Sequence, residues 1–359
     1  MLNPGLALPS QSARRQYVIG LAILVVLAVG GLYLVKWNPY YHKAFLAAAN
    51  HSLGASIVSG TARSAPGPSM ASAVSYLIAY FNAIWQALVL GLLLATTIET
   101  LLPRDWLARL LGKRAFQTTA LGGVIALPGM MCTCCASPVV VGLRKNGVSV
   151  GAALAFWLGS PTLNPATLIF MVFALSWKWA LLRVIVGVVL VFGVSYLASR
   201  LFPEEQISAA EIANLTPPPG APTSTIVARW FQNLGRLMIG LLPEYLVIVL
   251  LLGAARAWLF PAASLAAGNA FVWIVLLAIA GTLFVVPTAG EIPIVQTMLG
   301  YGLGAGPAGA LLLTLAPLSL PSVAMVWSVF PRRVLAFTIA SLVILGILGG
   351  LVALGLGFS

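Results

Sequence analysis

The chain has 359 residues, of which 60% are apolar and only 7% are charged, and its mean hydropathy is +1.03. Soluble domains carry about 25% charged residues, so this composition excludes a soluble globular enzyme, a disordered protein and a disulfide scaffold. The net charge of +12 sits in loops between apolar runs, which is typical of membrane topology signals. We therefore expect a polytopic protein that contacts the lipid bilayer and binds no nucleic acid.

The N-terminal region, residues 1–73, is predicted to contain one transmembrane helix followed by an interfacial loop. Its apolar run over 17–35 is longer than the roughly 7–15 residues of a secretory signal, so we expect a retained helix. Residues 40–58 mix apolar and polar side chains, and this pattern predicts an interfacial helix.

Apolar runs of about 20 residues, the length that crosses a bilayer, divide the rest of the chain. They lie at 74–101, 147–175, 180–199, 237–259, 305–329 and 334–357. Residues 103–115 have the pattern of a basic amphipathic helix on the membrane surface. A polar, proline-rich stretch predicts a linker over 201–236, between a first repeat at 74–200 and a second repeat at 237–359.

Two further apolar stretches, 116–143 and 270–300, are interrupted by prolines near the middle, at 127–138 and 286–293. A proline removes a helical hydrogen bond, and inside a membrane the freed backbone groups must face protein or a water-filled cavity. The pattern alone leaves open whether each stretch crosses the bilayer fully or forms a re-entrant hairpin.

The interruptions belong to a weak internal repeat. Each copy carries a double-proline break, a glycine turn and a second Pro-x-x-x-Pro break, at 161–165 and at 317–321. Of the 19 Lys and Arg residues, 13 lie inside if the broken stretches are hairpins and 11 if they are full spans. The hairpin count assigns Lys36, Arg183 and Arg256 to the outer side of the membrane. The positive-inside rule thus favours hairpins, which makes the two copies inverted.

The predicted fold is therefore an all-α polytopic membrane protein with two inverted repeats of broken or re-entrant helices, plus an extra N-terminal transmembrane helix. Inverted repeats whose broken helices meet near the bilayer midplane are a design of secondary transporters. We accordingly interpret 74–200 and 237–359 as two permease repeats.

All three cysteines, Cys132, Cys134 and Cys135, fall at the first break. An isolated membrane cysteine usually packs as a small apolar residue, whereas a cluster at a helix break is harder to explain by packing. Sulfur is a soft ligand suited to thiophilic metals and metalloids, so we predict that the three thiols bind substrate. A structural zinc site is disfavoured, because the chain has no second Cys-x-x-Cys pair, and whether a metal binds is unknown.

Polar residues near the other breaks are the remaining candidates. Charged groups inside a bilayer are costly and tend to be functional, so Glu291 is predicted to couple transport to protons. Glu244 is a second coupling candidate, although a helix-terminal carboxylate competes with that interpretation. Ser160, Asn164 and Ser319 are predicted neutral substrate ligands, but such groups also hold membrane helices together.

Three segments carry a family resemblance: the cysteine run at 132–138, the basic glycine turn at 143–148 and the Ser-Pro-Thr-Leu-Asn-Pro break at 160–165. Together they resemble the ArsP/YraQ-type predicted permease family, whose hallmark is Cys-x-Cys-Gly ahead of a proline. Cys132 and Cys134 fall on the paired cysteines, whereas Cys135 stands where glycine is usual. The resemblance implies a multi-pass permease of a bacterial inner membrane, with efflux of trivalent organoarsenicals as the best-known activity.

The sequence thus predicts a secondary transporter rather than an enzyme, without a cofactor, that exports a thiophilic or small neutral solute. Two other classes stay open. A membrane thiol-redox protein would need cysteines that form and break a disulfide, and a structural membrane subunit would have no substrate. A homo-oligomer is also compatible with the sequence.

Overall fold

The computed structural model describes residues 11–60, 65–202, 223–260 and 271–358, and these are helical apart from turns, breaks and one isolated bridge between Ser56 and Gly60. Six helical segments of this described part are long and apolar enough to cross a membrane. They are Val18–Asn50, Met70–Leu101, Val150–Ala174, Trp177–Leu201, Ile226–Leu259 and Arg332–Gly355. The chain is an all-α polytopic membrane protein, which confirms the predicted fold class.

The first span is longer than the sequence indicates. Helix α1 (Gln11–Leu32) passes through a π-helical turn, Tyr33–Trp37, directly into α2 (Asn38–Asn50). The helix predicted over 40–58 is therefore not a separate element, because α2 continues directly from the first helix and ends at the left-handed residue His51. π-Helical turns inside α-helices are frequent at functional sites, and this one contains the buried Lys36.

The first repeat comprises a long helix, a short surface helix and a series of short helices separated by breaks. In order they are α3 (Met70–Leu101), α4 (Arg104–Leu111), α5 (Phe116–Ala126), α6 (Thr133–Lys145), α7 (Val150–Thr162), α8 (Pro165–Ala174), α9 (Trp177–Val188) and α10 (Ser195–Leu201). Helix α4 is the amphipathic helix predicted over 103–115, and a π-helical turn, Val189–Val194, joins α9 to α10.

The second repeat follows the same plan. Its helices are α11 (Thr223–Leu259), α12 (Phe271–Leu283), α13 (Glu291–Gly300), α14 (Ala305–Thr314), α15 (Leu320–Val326) and α16 (Arg332–Gly355). Helix α11 begins within the linker predicted over 201–236, so the end of that segment is helical; residues 203–222 lie outside the described part. The run predicted as one span over 305–329 is divided between α14 and α15.

The order of elements repeats from one half to the other: helix, break, helix, glycine turn, helix, break, helix. The turns depend on Gly147 (φ +81) and Gly302 (φ +96), since glycine adopts positive φ without steric cost. The halves also interlock, because α6 packs against α15 while α13 packs against α8. Each break therefore lies beside the other copy. The inverted orientation of the copies remains a prediction.

Candidate functional site

The two first breaks face each other across the centre of the helical bundle. Each contains a non-glycine residue with a left-handed backbone, Met130 (φ +47) and Ala289 (φ +64), and such strain clusters at functional sites. A pocket between the breaks is lined by residues that include Cys132, Thr288 and Glu291. It encloses about 10 Å³, which is close to the smallest cavity that holds one water molecule. The described conformation is therefore closed around this point.

A buried arginine joins the breaks of the two repeats. The Arg183 guanidinium, on α9, donates to Glu291 Oε1 at 2.7 Å, to the Pro161 carbonyl at 2.8 Å and to the Thr162 carbonyl at 2.9 Å. Both charged side chains are 2% exposed. The guanidinium thus satisfies the backbone carbonyl groups left unpaired at the end of α7, and it also neutralises the carboxylate at the start of α13. We name this arrangement the Arg183–Glu291 bridge.

Cys132 and Cys135 form a pair at the N-terminus of α6. Their sulfur atoms are 2.9 Å apart, both residues are buried, and both thiols are free. The pairing follows from helix geometry, since residues three apart lie on the same face. We call these two residues the thiol pair.

Lys36 reaches this region from the π-helical turn of the first span. Its ammonium group donates to the Tyr40 hydroxyl at 3.0 Å and to Thr288 Oγ1, in the second repeat's break, at 3.2 Å. It also lies within electrostatic range of Cys132 and Cys135. The N-terminal helix therefore brings a buried positive charge to the crossing of the two breaks.

Cys134 points away from the thiol pair. The Tyr80 hydroxyl donates to Cys134 Sγ at 3.6 Å, and Ser319 Oγ lies 3.6 Å from the same sulfur. Across the described residues, no three His, Cys, Asp or Glu side chains converge to hold a metal ion. The predicted cluster of three thiols is thus divided between two environments, and its site contains two sulfur atoms.

The neutral candidates are all buried, and each makes hydrogen bonds within the protein. Ser160 Oγ accepts from the Met131 amide at 3.0 Å, and Asn164 Oδ1 accepts from the Ala166 amide at 3.0 Å as the N-cap of α8. Ser319 caps α15 together with Ser322. Asn164 Nδ2 is buried without a hydrogen-bond partner. Because buried polar atoms are normally satisfied, this amide group differs from the hydroxyls of Ser160 and Ser319, which have hydrogen-bond partners.

The second coupling candidate lies elsewhere. Glu244 is exposed on α11, whereas its neighbour Tyr245 is buried. The alternating burial follows from helix geometry, because adjacent residues point in different directions. The structure therefore does not bring Glu244 to the breaks.

Buried cations were the main feature that sequence reasoning missed. The topology count treated Lys36, Arg183 and Arg256 as charges on the outer side of the membrane, but all three lie within helices and are buried. A signal was present, since Arg183 lies early in an otherwise apolar run and a charge there tends to be functional. Its partner Glu291 is distant in sequence, so the pairing depends on tertiary structure.

A close helix crossing supports the thiol pair and provides a first test. Gly91 on α3 packs so tightly against α6 that an added Cβ would overlap the Cys135 carbonyl oxygen. We expect Gly91→Ala to lower the free energy of unfolding by about 1–3 kcal/mol, as overpacking does. Thermal unfolding in detergent measures this. Gly30→Ala is the control, since that position has open space; equal losses in both variants would contradict the prediction.

A bundle of interlocked broken helices, with charges buried at their crossing, defines a membrane transport protein by class. The family model described as a predicted permease, ArsP_1, matches residues 129–354, and the chain belongs to this family. The chain is 46% identical over 333 residues to UPF0718 protein YraQ of Escherichia coli, and the alignment covers 93% of this chain and 94% of the relative.

A more distant relative is UPF0718 protein MJ0584 of Methanocaldococcus jannaschii, 22% identical over 66% of this chain and 82% of the relative. No solved structure matches the chain. The comparisons support a multi-pass membrane transporter rather than an enzyme. They also confirm the family indicated by the cysteine run, the basic turn and the Ser-Pro-x-x-Asn-Pro break.

Proposed function

We propose that this permease exports a thiophilic or small neutral solute, such as a trivalent organoarsenical, across the inner membrane of a bacterium. The observation that carries the proposal is the thiol pair, two buried sulfur atoms 2.9 Å apart. Cys132 also lines the pocket between the breaks. The pair is therefore a two-sulfur site at the crossing where transporters hold their substrates.

The chemistry of the pair suits a trivalent arsenical. Each thiol displaces one hydroxide from arsenic, so an As–S bond replaces an As–O bond and the thiol proton leaves with the hydroxide as water. Two such exchanges bind the solute without any change in oxidation state. Reversal of both exchanges at the other side of the membrane releases it.

Proton coupling belongs to the Arg183–Glu291 bridge in this proposal. A proton that reaches Glu291 removes the negative charge that faces Arg183 and weakens the link between the two repeats. The breaks then separate, and access to the pocket changes side. Glu244, which is exposed on α11, has no part in this scheme.

The test is accumulation of methylarsenite in everted membrane vesicles with a proton gradient. We expect Cys132→Ser with Cys135→Ser to lower the initial rate at least tenfold, because a hydroxyl is a poor ligand for a soft element. Cys134→Ser is the matched control, since Cys134 faces Tyr80 and Ser319 and that variant should keep most of the rate. Full activity in the double variant would overturn the role of the thiol pair.

A second candidate function rests on the same two atoms. Cys132 and Cys135 form a Cys-x-x-Cys pair at a helix N-terminus, an arrangement found in disulfide oxidoreductases. A small disulfide would oxidise the pair, taking two electrons and two protons to become two thiols. Alkylation after such treatment would then show both thiols protected and reversibly recovered. Unprotected thiols would exclude this reading and leave the transport proposal in place.

A further inference from the structure

An apolar cavity lies between the N-terminal helix and the first repeat, apart from the pocket at the breaks. Its volume is about 240 Å³. The walls come from α1 and from α3 to α7, and they include Leu24, Ala28, Leu94, Leu107, Val139 and Phe156. An apolar cavity of about 150 Å³ stays dry and binds benzene, so this larger one is suited to a hydrocarbon group.

The two ends of the cavity differ. One end is formed by Met131 and Ser160 beside the first break, where Ser160 Oγ already accepts a hydrogen bond from the Met131 amide. The other end is formed by Trp106 and its neighbours on α4. Tryptophan is enriched at membrane interfaces, and α4 is amphipathic, so this end lies at the level of the lipid headgroups.

Basic residues follow the cavity-lining residues of α4 closely in sequence. Arg109 on α4, and Lys113 and Arg114 just after it, are all exposed. Clusters of Lys and Arg next to membrane helices attract anionic lipids on the cytoplasmic side, the side to which the charge distribution assigns this segment. The cavity and the cations together match the two parts of one amphiphile.

We propose that the cavity binds one acyl chain of an anionic glycerophospholipid, whose phosphate is held by Lys113 and Arg114. The chain fills the space between α1 and the first repeat and extends to the residues next to the first break. Because α1 leads directly to Lys36, the bound lipid fixes the helix that delivers this charge to the site. The protein thereby has a lipid site distinct from its substrate pocket.

The first experiment uses the unmodified chain and dioleoyl phosphatidylglycerol that carries a photoreactive diazirine near the end of one acyl chain. We expect mass spectrometry to find the crosslink at the end of the cavity beside the first break, on segments 122–131 and 152–160. Labelling confined to other lipid-facing helices would overturn the proposal. Displacement of the label by methylarsenite, rather than by phosphatidylglycerol, would also overturn it and assign the cavity to solute.

Variants then separate the chain from the headgroup. Native mass spectrometry of the full-length protein should show one phosphatidylglycerol bound at least tenfold more tightly than phosphatidylcholine. Ala28→Phe, which fills the cavity, should abolish binding of that lipid, whereas Val29→Phe on the exposed side of α1 should not. Unchanged binding in Ala28→Phe would refute the acyl-chain site.

The charge variant has a matched control on the same predicted face of the membrane. Lys113→Gln with Arg114→Gln should bring phosphatidylglycerol affinity down to that of phosphatidylcholine. Arg332→Gln with Arg333→Gln removes an equally exposed basic pair and should leave the difference intact. Equal loss in both variants would show general surface attraction and would overturn the assignment of the phosphate to Lys113 and Arg114.

Discussion

Arg183→Gln is expected to abolish transport and to destabilise the protein more than Glu291→Gln does. The arginine variant leaves a buried carboxylate without its counter-charge and removes the donors to the Pro161 and Thr162 carbonyls. Glu291→Gln still offers an amide oxygen to Arg183, and both backbone hydrogen bonds from Arg183 survive. Removal of one partner of a buried ion pair costs about 3–5 kcal/mol, and we expect Arg183→Gln at the upper end of this range.

A double-mutant cycle isolates the bridge itself. We expect Arg183→Gln combined with Glu291→Gln to lose less stability than the sum of the two single changes, since no uncompensated charge remains. Thermal unfolding of the four proteins in detergent provides the comparison. The control cycle combines Arg256→Gln with Glu291→Gln. Arg256 is also buried in a helix, but it donates to the hydroxyls of Ser72 and Ser75, so these two losses should add. Additive losses for the first pair would contradict a direct Arg183–Glu291 interaction.

The same variants test coupling separately from folding. Glu291→Gln should leave a folded permease whose vesicle transport no longer responds to an imposed proton gradient. Arg183→Gln should fail both in stability and in transport. A Glu291→Gln protein that keeps a full gradient response would remove the carboxylate from the coupling scheme and leave it with a structural role.

Local sequence signals were enough to predict where the helices break, but not which residues contact one another at the breaks. Prolines and glycines fix where a helix can continue, so the breaks around Pro128 and Pro287 and the turns at Gly147 and Gly302 were predictable. The division of the cysteines also follows from helical spacing once α6 is known to begin at Thr133. The Arg183–Glu291 bridge, by contrast, joins residues 108 positions apart, and no local pattern specifies that contact.

The N-terminal helix shows a different reason for failure. The run Lys36-Trp37-Asn38-Pro39 is typical of a helix end at the membrane surface, and the sequence predicted a separate interfacial helix after it. In the structure Pro39 lies in the first turn of α2, where proline is tolerated. The π-helical turn keeps the helix continuous, and Lys36 gains hydrogen bonds to Tyr40 and Thr288. These tertiary contacts keep the helix continuous through a polar segment that the sequence alone marks as a helix end.

Lys36→Met is expected to slow the accumulation of methylarsenite in everted vesicles at least tenfold while leaving the fold intact. A thiol that binds a soft element gives up its proton, and the Lys36 ammonium is placed to compensate the negative charge that develops on Cys132 and Cys135. Methionine preserves most of the side chain's length without its charge. It also removes the cost of burying a cation, so stability should hold or rise even though function falls.

The rate at which the thiol pair reacts distinguishes an electrostatic role of Lys36 from a purely structural one, because a structural role would leave that rate unchanged. We expect a small uncharged alkylating reagent to modify Cys132 at least tenfold more slowly in Lys36→Met, with Lys36→Arg restoring part of the rate. Lys43→Met, on the exposed side of α2, is the control and should react like the unmodified protein. Equal alkylation rates in all four would mean that Lys36 only anchors the first span to the second repeat. The N-terminal helix would then lie outside the substrate site.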